Sequence, residues 1–219
     1  MRKLIFILVF LLGVSLSINS QVPRFSFPVV TNTVESTGLS ITDDFESYTA
    51  GGTNPIHGQS DDWTAIVGAI YVWQETGTKI VYNSISTESS ALRSESFSNN
   101  HSAKAEIFDA STSLAGVICR GNSNTYYTYY GTTSARYIAK VISGTETDLH
   151  ALTTEGFADG DVIELRVNGT TLSCYLNGAL DTELVAGGSF TDSSISSGKP
   201  GIFFYGNAGA IDDFEANDL

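Results

Sequence analysis

Short runs of alternating apolar and polar residues cover most of the chain, with turn-forming residues between them. Most runs span about four to eight residues and are bounded by Gly, Asn, Asp or Ser, which is typical of β-strands with one buried face. No stretch carries the period of an amphipathic helix. The pattern predicts an all-β domain with strands at 41–48, 63–73, 79–82, 103–108, 115–120, 125–130, 136–142, 162–167, 171–176, 201–205 and 210–214.

The clearest local signal is a hairpin between 161 and 178, whose centre is the pair Asn168-Gly169. This pair suits a type I′ turn, in which both central residues have positive φ, so Val167 should lie opposite Thr170 and Leu165 opposite Leu172. The register leaves one face apolar and the other polar. These short strands are too many for one open sheet, so we expect two antiparallel sheets packed face to face.

The two ends of this region carry similar sequences, ITDDFE at 41–46 and IDDFE at 211–215. Matching strands at the extremities indicate that the first and last strands pair side by side. A tandem repeat is the alternative, but nothing between the two segments recurs at a fixed period. We expect Phe45 and Phe214 to face one common core.

The chain begins with the features of a secretory signal peptide. Arg2 and Lys3 precede an apolar run at 4–14, which is shorter than the roughly 20 residues that a membrane anchor needs. We therefore expect a signal peptide at 1–20, a linker at 21–38 and one domain at 39–219. Cleavage after Ser20 would release a secreted protein with no membrane insertion.

Composition and charge limit the classes of molecule that the protein can bind. The 219 residues include 42% apolar and only 16% charged side chains, and the formal net charge is −13. A chain of this size can bury one substantial core. Its acidity argues against nucleic acid and against anionic membrane surfaces as partners.

Several segments in a fixed order resemble the concanavalin A-like lectin and glucanase domains of the laminin-G-like group. They are DDFESY, the pair Asp62-Trp63, AGVICRGN, the hairpin GDVIELRVNGTTLSCYLNG, KPGIFFYG and IDDFE. The resemblance implies a jelly-roll sandwich of two curved antiparallel sheets, often associated with glycan binding and sometimes with glycan cleavage. These segments mark the fold and not a site.

The catalytic pattern of the glucanase branch is absent from the sequence. That branch places paired glutamates and an aspartate on one strand as E-x-D-x-x-E or E-x-D-x-E, where alternation puts them on one face. The nearest pair, Glu106 and Asp109, points to opposite faces. Arg93 and Glu95 faintly resemble the R-x-E-x-R strand of the lyase branch, but the final Arg of that motif is missing here. We expect both side chains to point outward. We therefore do not expect an enzyme of the glucanase branch.

The acidic ends suggest a structural calcium site. Calcium binds six to eight oxygen ligands, and a cation would relieve the repulsion between carboxylates that strand pairing brings together. Jelly-roll carbohydrate-binding modules resemble this in placing calcium between the first and last strands. The candidate ligands are Asp43, Asp44, Glu46, Asp212 and Asp213, with Asp43 and Asp212 in phase with the core phenylalanines. The alternative is a solvated acidic edge that discourages edge pairing.

A dense patch of tyrosines, arginines and amides is the candidate glycan site. Sugar C–H faces pack on aromatic rings, and polar side chains hold the hydroxyl groups. Alternation means that only one set along 126–130 can be exposed, and pure packing is the alternative for the whole patch. Trp63 and Trp73 are expected in the core. The candidate ligand-binding residues are Arg120, Asn122, Asn124, Tyr126, Tyr127, Tyr129, Tyr130 and Arg136.

The two cysteines and three histidines are not assigned to a binding site. Cys119 and Cys174 should both face inward, where they either form a disulfide or serve as small core residues. His57, His101 and His150 are isolated in sequence and are expected at the surface.

The sequence thus favours a secreted, lectin-like glycan-binding module with a structural calcium. One alternative is an extracellular adhesive protein that self-associates. Another is a polysaccharide lyase or hydrolase with an unfamiliar site.

Overall fold

Strands make up most of the chain in the computed structural model, which describes residues 38–51, 54–75, 77–85 and 87–219. The expected signal peptide at 1–20, and the linker at 21–38 except Gly38, lie outside the described residues. The described residues form sixteen strands and one helix: β1 Ser40–Asp43, α1 Ile56–Gln59, β2 Trp63–Val67, β3 Ile70–Glu75, β4 Thr78–Asn83, β5 Glu88–Arg93, β6 His101–Asp109, β7 Leu114–Asn122, β8 Thr125–Gly131, β9 Arg136–Ile142, β10 Thr145–Leu152, β11 Val162–Asn168, β12 Thr171–Leu176, β13 Ala179–Leu180, β14 Ser189–Thr191, β15 Lys199–Tyr205 and β16 Ala210–Asp218.

The strands form two antiparallel sheets that pack against each other. The nine-stranded sheet has the order β13-β12-β11-β6-β16-β4-β3, with β1 beside β16 and β14 beside β12. The seven-stranded sheet has the order β10-β9-β8-β7-β15-β5-β2. The prediction of an all-β, two-sheet antiparallel sandwich is confirmed. Within the part of the chain described, no helix has the length and apolar character required to cross a bilayer.

The main core lies between the two sheets, and strand alternation builds it. Ile163 and Leu165 on β11 are fully buried, as is Val117 on β7 in the facing sheet. Burying each such side chain contributes about 1.5–3 kcal/mol. A second apolar cluster covers the outer face of the seven-stranded sheet, which we define as the face away from the main core. Its members are Leu92, Ile118, Tyr126, Tyr130, Ala139, Val141 and Phe203.

The predicted hairpin exists, with its faces as expected but its register different. Leu165 lies opposite Cys174, and Asn168 lies opposite Thr171. The predicted pairing of Leu165 with Leu172 is therefore wrong. The reason is that Asn168 stays in the strand, so that Gly169, with φ of 60°, is the central turn residue that has positive φ. The Gly169 N–H donates to the Asn100 side chain at 2.8 Å, which holds the turn in this form.

The terminal strands pair as predicted. Strand β1 runs antiparallel to β16, with Ile41 opposite Ala216. Phe45 and Phe214 are both fully buried in the main core. Phe214 packs edge-on against Trp63, with ring centroids 5.1 Å apart. The first and last described strands thus lie side by side in the nine-stranded sheet.

His101 at the start of β6 is fully buried, so the prediction of a surface histidine is wrong here. Its Nε2 accepts the Arg120 N–H at 3.1 Å, so the neutral ring carries its proton on Nδ1 and donates it to the Ser98 carbonyl at 2.7 Å. Burial lowers the pKa of His101, and Arg120 acts in the same direction, while the Ser98 carbonyl and Asp218 partly oppose them.

This geometry predicts a loss of stability as the pH falls below 6.5, the ordinary pKa of histidine. The unfolded chain then binds a proton at His101 that the folded chain holds less well, so acid favours unfolding. In the variant His101→Gln, the slope of unfolding free energy against pH should decrease by up to about 1.4 kcal/mol per pH unit just below that pH. Urea unfolding over a pH series measures it. His57 and His150 are present in both proteins, and equal slopes would contradict the buried neutral ring.

Candidate functional site

The tyrosines of β8 are buried on both faces of the seven-stranded sheet. Tyr127 and Tyr129 lie in the main core, and Tyr126 and Tyr130 lie in the outer cluster. Exposed fractions are 3% or less for all four side chains. The prediction that one alternate set is exposed is therefore wrong, because apolar neighbours cover the outer face as well as the inner one.

Each of these buried tyrosines donates its hydroxyl proton to a carboxylate. The distance is 2.5 Å from Tyr126 to Glu88 and 2.7 Å from Tyr130 to Glu146. Tyr127 reaches Asp192 at 2.6 Å, and Tyr129 reaches Asp181 at 2.8 Å. Burial, with these carboxylates as further causes, raises the pKa of all four phenols, so each remains a neutral donor. The patch is therefore a set of structural hydrogen bonds.

Arg136 belongs to the same buried system. Its guanidinium holds both carboxylate oxygens of Asp181, with Nε to Oδ2 at 2.8 Å and Nη2 to Oδ1 at 3.1 Å. Burial raises the pKa of Asp181, but Arg136, the Leu184 N–H and Tyr129 outweigh it and leave that pKa below its ordinary value. Arg136 is 1% exposed, so it holds the fold at this point rather than facing solvent.

The other predicted ligand residues do not share one surface with the tyrosines. Arg120 is buried, and its guanidinium donates to the backbone carbonyls of Asn99, Gly169 and Ile195. It occupies a β-bulge with φ of 52°, which turns its side chain into the interior. Asn122 ends β7 and Asn124 lies in the turn before β8, and both are exposed. The eight residues thus form no common groove.

Asp43, the leading calcium candidate, has its oxygens occupied by protein donors. Oδ2 accepts from Tyr48 at 2.9 Å, from the Trp63 indole at 2.8 Å and from Arg93 at 3.0 Å. Oδ1 accepts the Phe45 N–H. This donor set suits an anion in an ion pair. It also corrects the expectation for Arg93, which is 5% exposed and points inward.

The remaining acidic candidates are spread over two places. Glu46 and Asp212 both accept from the Thr78 hydroxyl, at 3.2 and 3.3 Å. Burial, followed by Asp213 and Glu106, raises the pKa of Asp212 to about 6.

Asp44 and Asp213 instead line an open groove with Lys104 and Glu106. Asp213 has φ of 49° and sits in a bulge of β16, so the expected phase of Asp212 with Phe214 is lost. Among the residues that the structure describes, no three Asp, Glu, His or Cys side chains meet in an arrangement able to hold a metal. Calcium binding stays a prediction. Cys119 and Cys174 are both buried, and they do not form a disulfide.

An aromatic groove lies on the outer face of the nine-stranded sheet at its β3 edge. Trp73 is 49% exposed, so its predicted place in the core is wrong. Its ring packs edge-on against Tyr82 with centroids 6.4 Å apart, and Tyr71 lies beside Tyr82 at the same spacing. The groove encloses about 350 Å³. Its lining residues are Trp73, Glu75, Ile80, Tyr82, Asp109, Asn207, Ala208, Gly209 and Ala210.

Strand register and one loop bring the polar rim of the aromatic groove to the rings. Asp109 ends β6 and lies opposite Ala210, which in turn lies opposite Tyr82. Glu75 ends β3 on the same face as Trp73. Asn207 belongs to the loop between β15 and β16, whose ends Gly206 and Gly209 have φ of 98° and 94°. Such positive φ angles favour glycine and allow the loop to turn tightly against the groove.

Strand alternation in the sequence carries a signal for this groove. Ile70 and Val72 are core residues, and side chains alternate along a strand. Tyr71 and Trp73 must then share the opposite face. The prediction of one strand at 63–73 is wrong, because the chain turns between β2 and β3, and Trp73 therefore lies on a separate strand from Trp63.

Comparisons with known proteins identify the fold. No protein-family model matches the chain, and no curated protein matches its sequence. A carbohydrate-binding module from Bacillus subtilis matches in structure with a TM-score of 0.58 and 16% identity, over 72% of this chain and 96% of that chain. A GH43 protein from Bacillus licheniformis has a TM-score of 0.50 and 14% identity, over 81% of this chain and 39% of that one.

A β-1,3-1,4-glucanase (lichenase) derived from a mouse hindgut metagenome has a TM-score of 0.50 and 8% identity, over 82% of this chain and 98% of that chain. Identities this low show the fold alone. The chain therefore has the jelly-roll sandwich of the concanavalin A-like proteins that its sequence motifs resemble.

Proposed function

We propose that the chain is a secreted glycan-binding module and that the aromatic groove is its binding site. The observation that carries this proposal is the half-exposed indole of Trp73, supported by Tyr82 and bordered by Glu75, Asp109 and Asn207. Single exposed apolar side chains are common on protein surfaces, but a half-exposed indole that packs on a second aromatic ring in a groove with a polar rim is typical of a ligand site.

The groove offers both kinds of contact that a sugar requires. The apolar C–H face of a pyranose packs on an indole ring, as in other mixed apolar and polar ligand sites. The carboxylates of Glu75 and Asp109 accept hydrogen bonds from sugar hydroxyls, and the Asn207 amide can donate or accept. The structural match to a carbohydrate-binding module supports this function. The basic residues and apolar run at the start of the sequence support secretion.

The variant Trp73→Ala is expected to lose most of its glycan affinity. Truncating a central aromatic anchor commonly costs 2 kcal/mol or more, so the Kd should rise by at least about tenfold. Because Trp73 lies outside both cores, the free energy of unfolding should change by less than about 0.5 kcal/mol. Calorimetric titration with β-1,4-linked hexamers of glucose, xylose, N-acetylglucosamine and glucosamine measures the affinity.

Leu180→Ala is the matched control for this experiment. Leu180 is an exposed apolar side chain on β13, at the opposite edge of the same sheet. Its truncation should leave the Kd unchanged. Binding that survives in Trp73→Ala, or the absence of binding to all four hexamers, would contradict the proposal.

A further inference from the structure

The charged side chains that line the aromatic groove are all negative. Its nine lining residues include the carboxylates of Glu75 and Asp109 and contain no Lys, Arg or His. The nearest basic residue along β4 is Lys79, whose ammonium donates to the Glu46 backbone carbonyl and is thereby held elsewhere. Neither rim carboxylate takes part in an ion pair among the described residues, so both face the groove without a neutralising partner.

We propose that the aromatic groove selects glycans built from amino sugars with free, protonated amines. This inference rests on the proposed glycan-binding function and names its ligand class. An ammonium group donates charge-assisted hydrogen bonds to a carboxylate, which are stronger than those from a neutral hydroxyl. The same cation is attracted to the face of an indole ring. Trp73 and the two carboxylates therefore favour one ligand feature together.

The alternatives to this ligand class lack such complementarity. Uronic acids and sulfated sugars carry negative charge, which Glu75 and Asp109 repel and which the net charge of −13 repels further at low salt. Neutral sugars fit the ring face and donate hydroxyl hydrogen bonds to the carboxylates, but they carry no positive charge for those carboxylates to attract. An amino-sugar chain gains from the indole ring and from the charge of the two carboxylates. Its affinity should weaken as salt screens these exposed charges.

Two hexamers with the same β-1,4-linked backbone test the proposal, because acetylation of the amines removes the positive charge from one of them. The β-1,4-linked glucosamine hexamer carries free amines, and the N-acetylglucosamine hexamer is its neutral counterpart. At mildly acidic pH and low salt, we expect the glucosamine hexamer to bind about fivefold more tightly, since each exposed ion pair contributes modestly. In the double variant Glu75→Gln/Asp109→Asn this ratio should fall to about one. The affinity for the neutral hexamer should stay within about twofold of the original.

A control variant separates the local charges from the total charge. Asp61→Asn combined with Glu183→Gln removes the same number of charges outside the groove and should keep the preference. Equal affinities for the two hexamers, or a preference that persists in the groove variant, would overturn the assignment to amino sugars and leave the glycan-binding function standing. If neither hexamer binds and the glucose and xylose hexamers also fail, both proposals are overturned.

Discussion

Replacing Arg136 with alanine is expected to lower the free energy of unfolding by about 3–5 kcal/mol. The side chain is 1% exposed, and its partner Asp181 is 4% exposed. Removing the guanidinium leaves the Asp181 carboxylate in the interior without its bidentate partner, and the neutral donors that remain, the Tyr129 hydroxyl and the Leu184 N–H, do not balance its charge. Because domains are stable by only about 5–15 kcal/mol, this loss should be visible in urea unfolding curves.

Two further variants make this result specific to the buried ion pair. Arg136→Lys keeps the charge but loses the planar fork, so it should be destabilised less than the alanine variant and still measurably. Glu183→Gln changes a carboxylate that is 64% exposed beside the same guanidinium, and its effect should stay below about 0.5 kcal/mol. A cost below about 1 kcal/mol for Arg136→Ala would contradict the description of this ion pair as a fixed, buried element.

Replacing Asp43 with alanine should cost about 3 kcal/mol. The carboxylate is the common acceptor for Tyr48, the Trp63 indole and Arg93, which surround it at 2.8–3.0 Å. Arg93 retains Glu95 at 2.5 Å, which limits the loss at the guanidinium. The indole and the phenol retain no such acceptor in the variant. Thermal or urea unfolding measures the difference.

Asp44→Asn is the control, because the neighbouring Asp44 is exposed and an asparagine can still accept the Glu46 N–H. The same pair of variants tests calcium. If Asp43 acts through its hydrogen bonds, chelator and added calcium should leave the unfolding midpoint of the parent protein unchanged. A midpoint that rises with calcium in the parent protein and not in Asp43→Ala would instead support Asp43 as a metal ligand.

The sequence was sufficient for the architecture because period-two alternation is local. It predicted that Ile163 and Leu165 face inward, and the repeated acidic motif predicted that β1 and β16 pair. The same alternation could not decide whether a second apolar layer covers the outer face of the seven-stranded sheet. Whether Tyr126 meets solvent depends on residues such as Phe203 and Leu92, which strand order alone brings near.

The sites were less predictable because they depend on exceptions to alternation and on distant partners. Bulges with positive φ at Arg120 and Asp213 change which side chains of β7 and β16 face inward. No simple residue spacing in the sequence predicts these bulges. The pairing of Asp43 with Arg93 joins residues 50 positions apart in sequence. Trp73 was predictable, since Val72 is a core residue and neighbours on a strand face opposite sides.

The most direct test of the glycan site uses the two tryptophans of the chain, Trp63 and Trp73. Each gives one indole N–H signal in an NMR spectrum of the ¹⁵N-labelled protein. We predict that a hexamer that binds shifts the Trp73 signal progressively and leaves the signal of the buried Trp63 in place. Binding of any of the four hexamers without a change at Trp73 would contradict the account, as would a titration in which none of them binds.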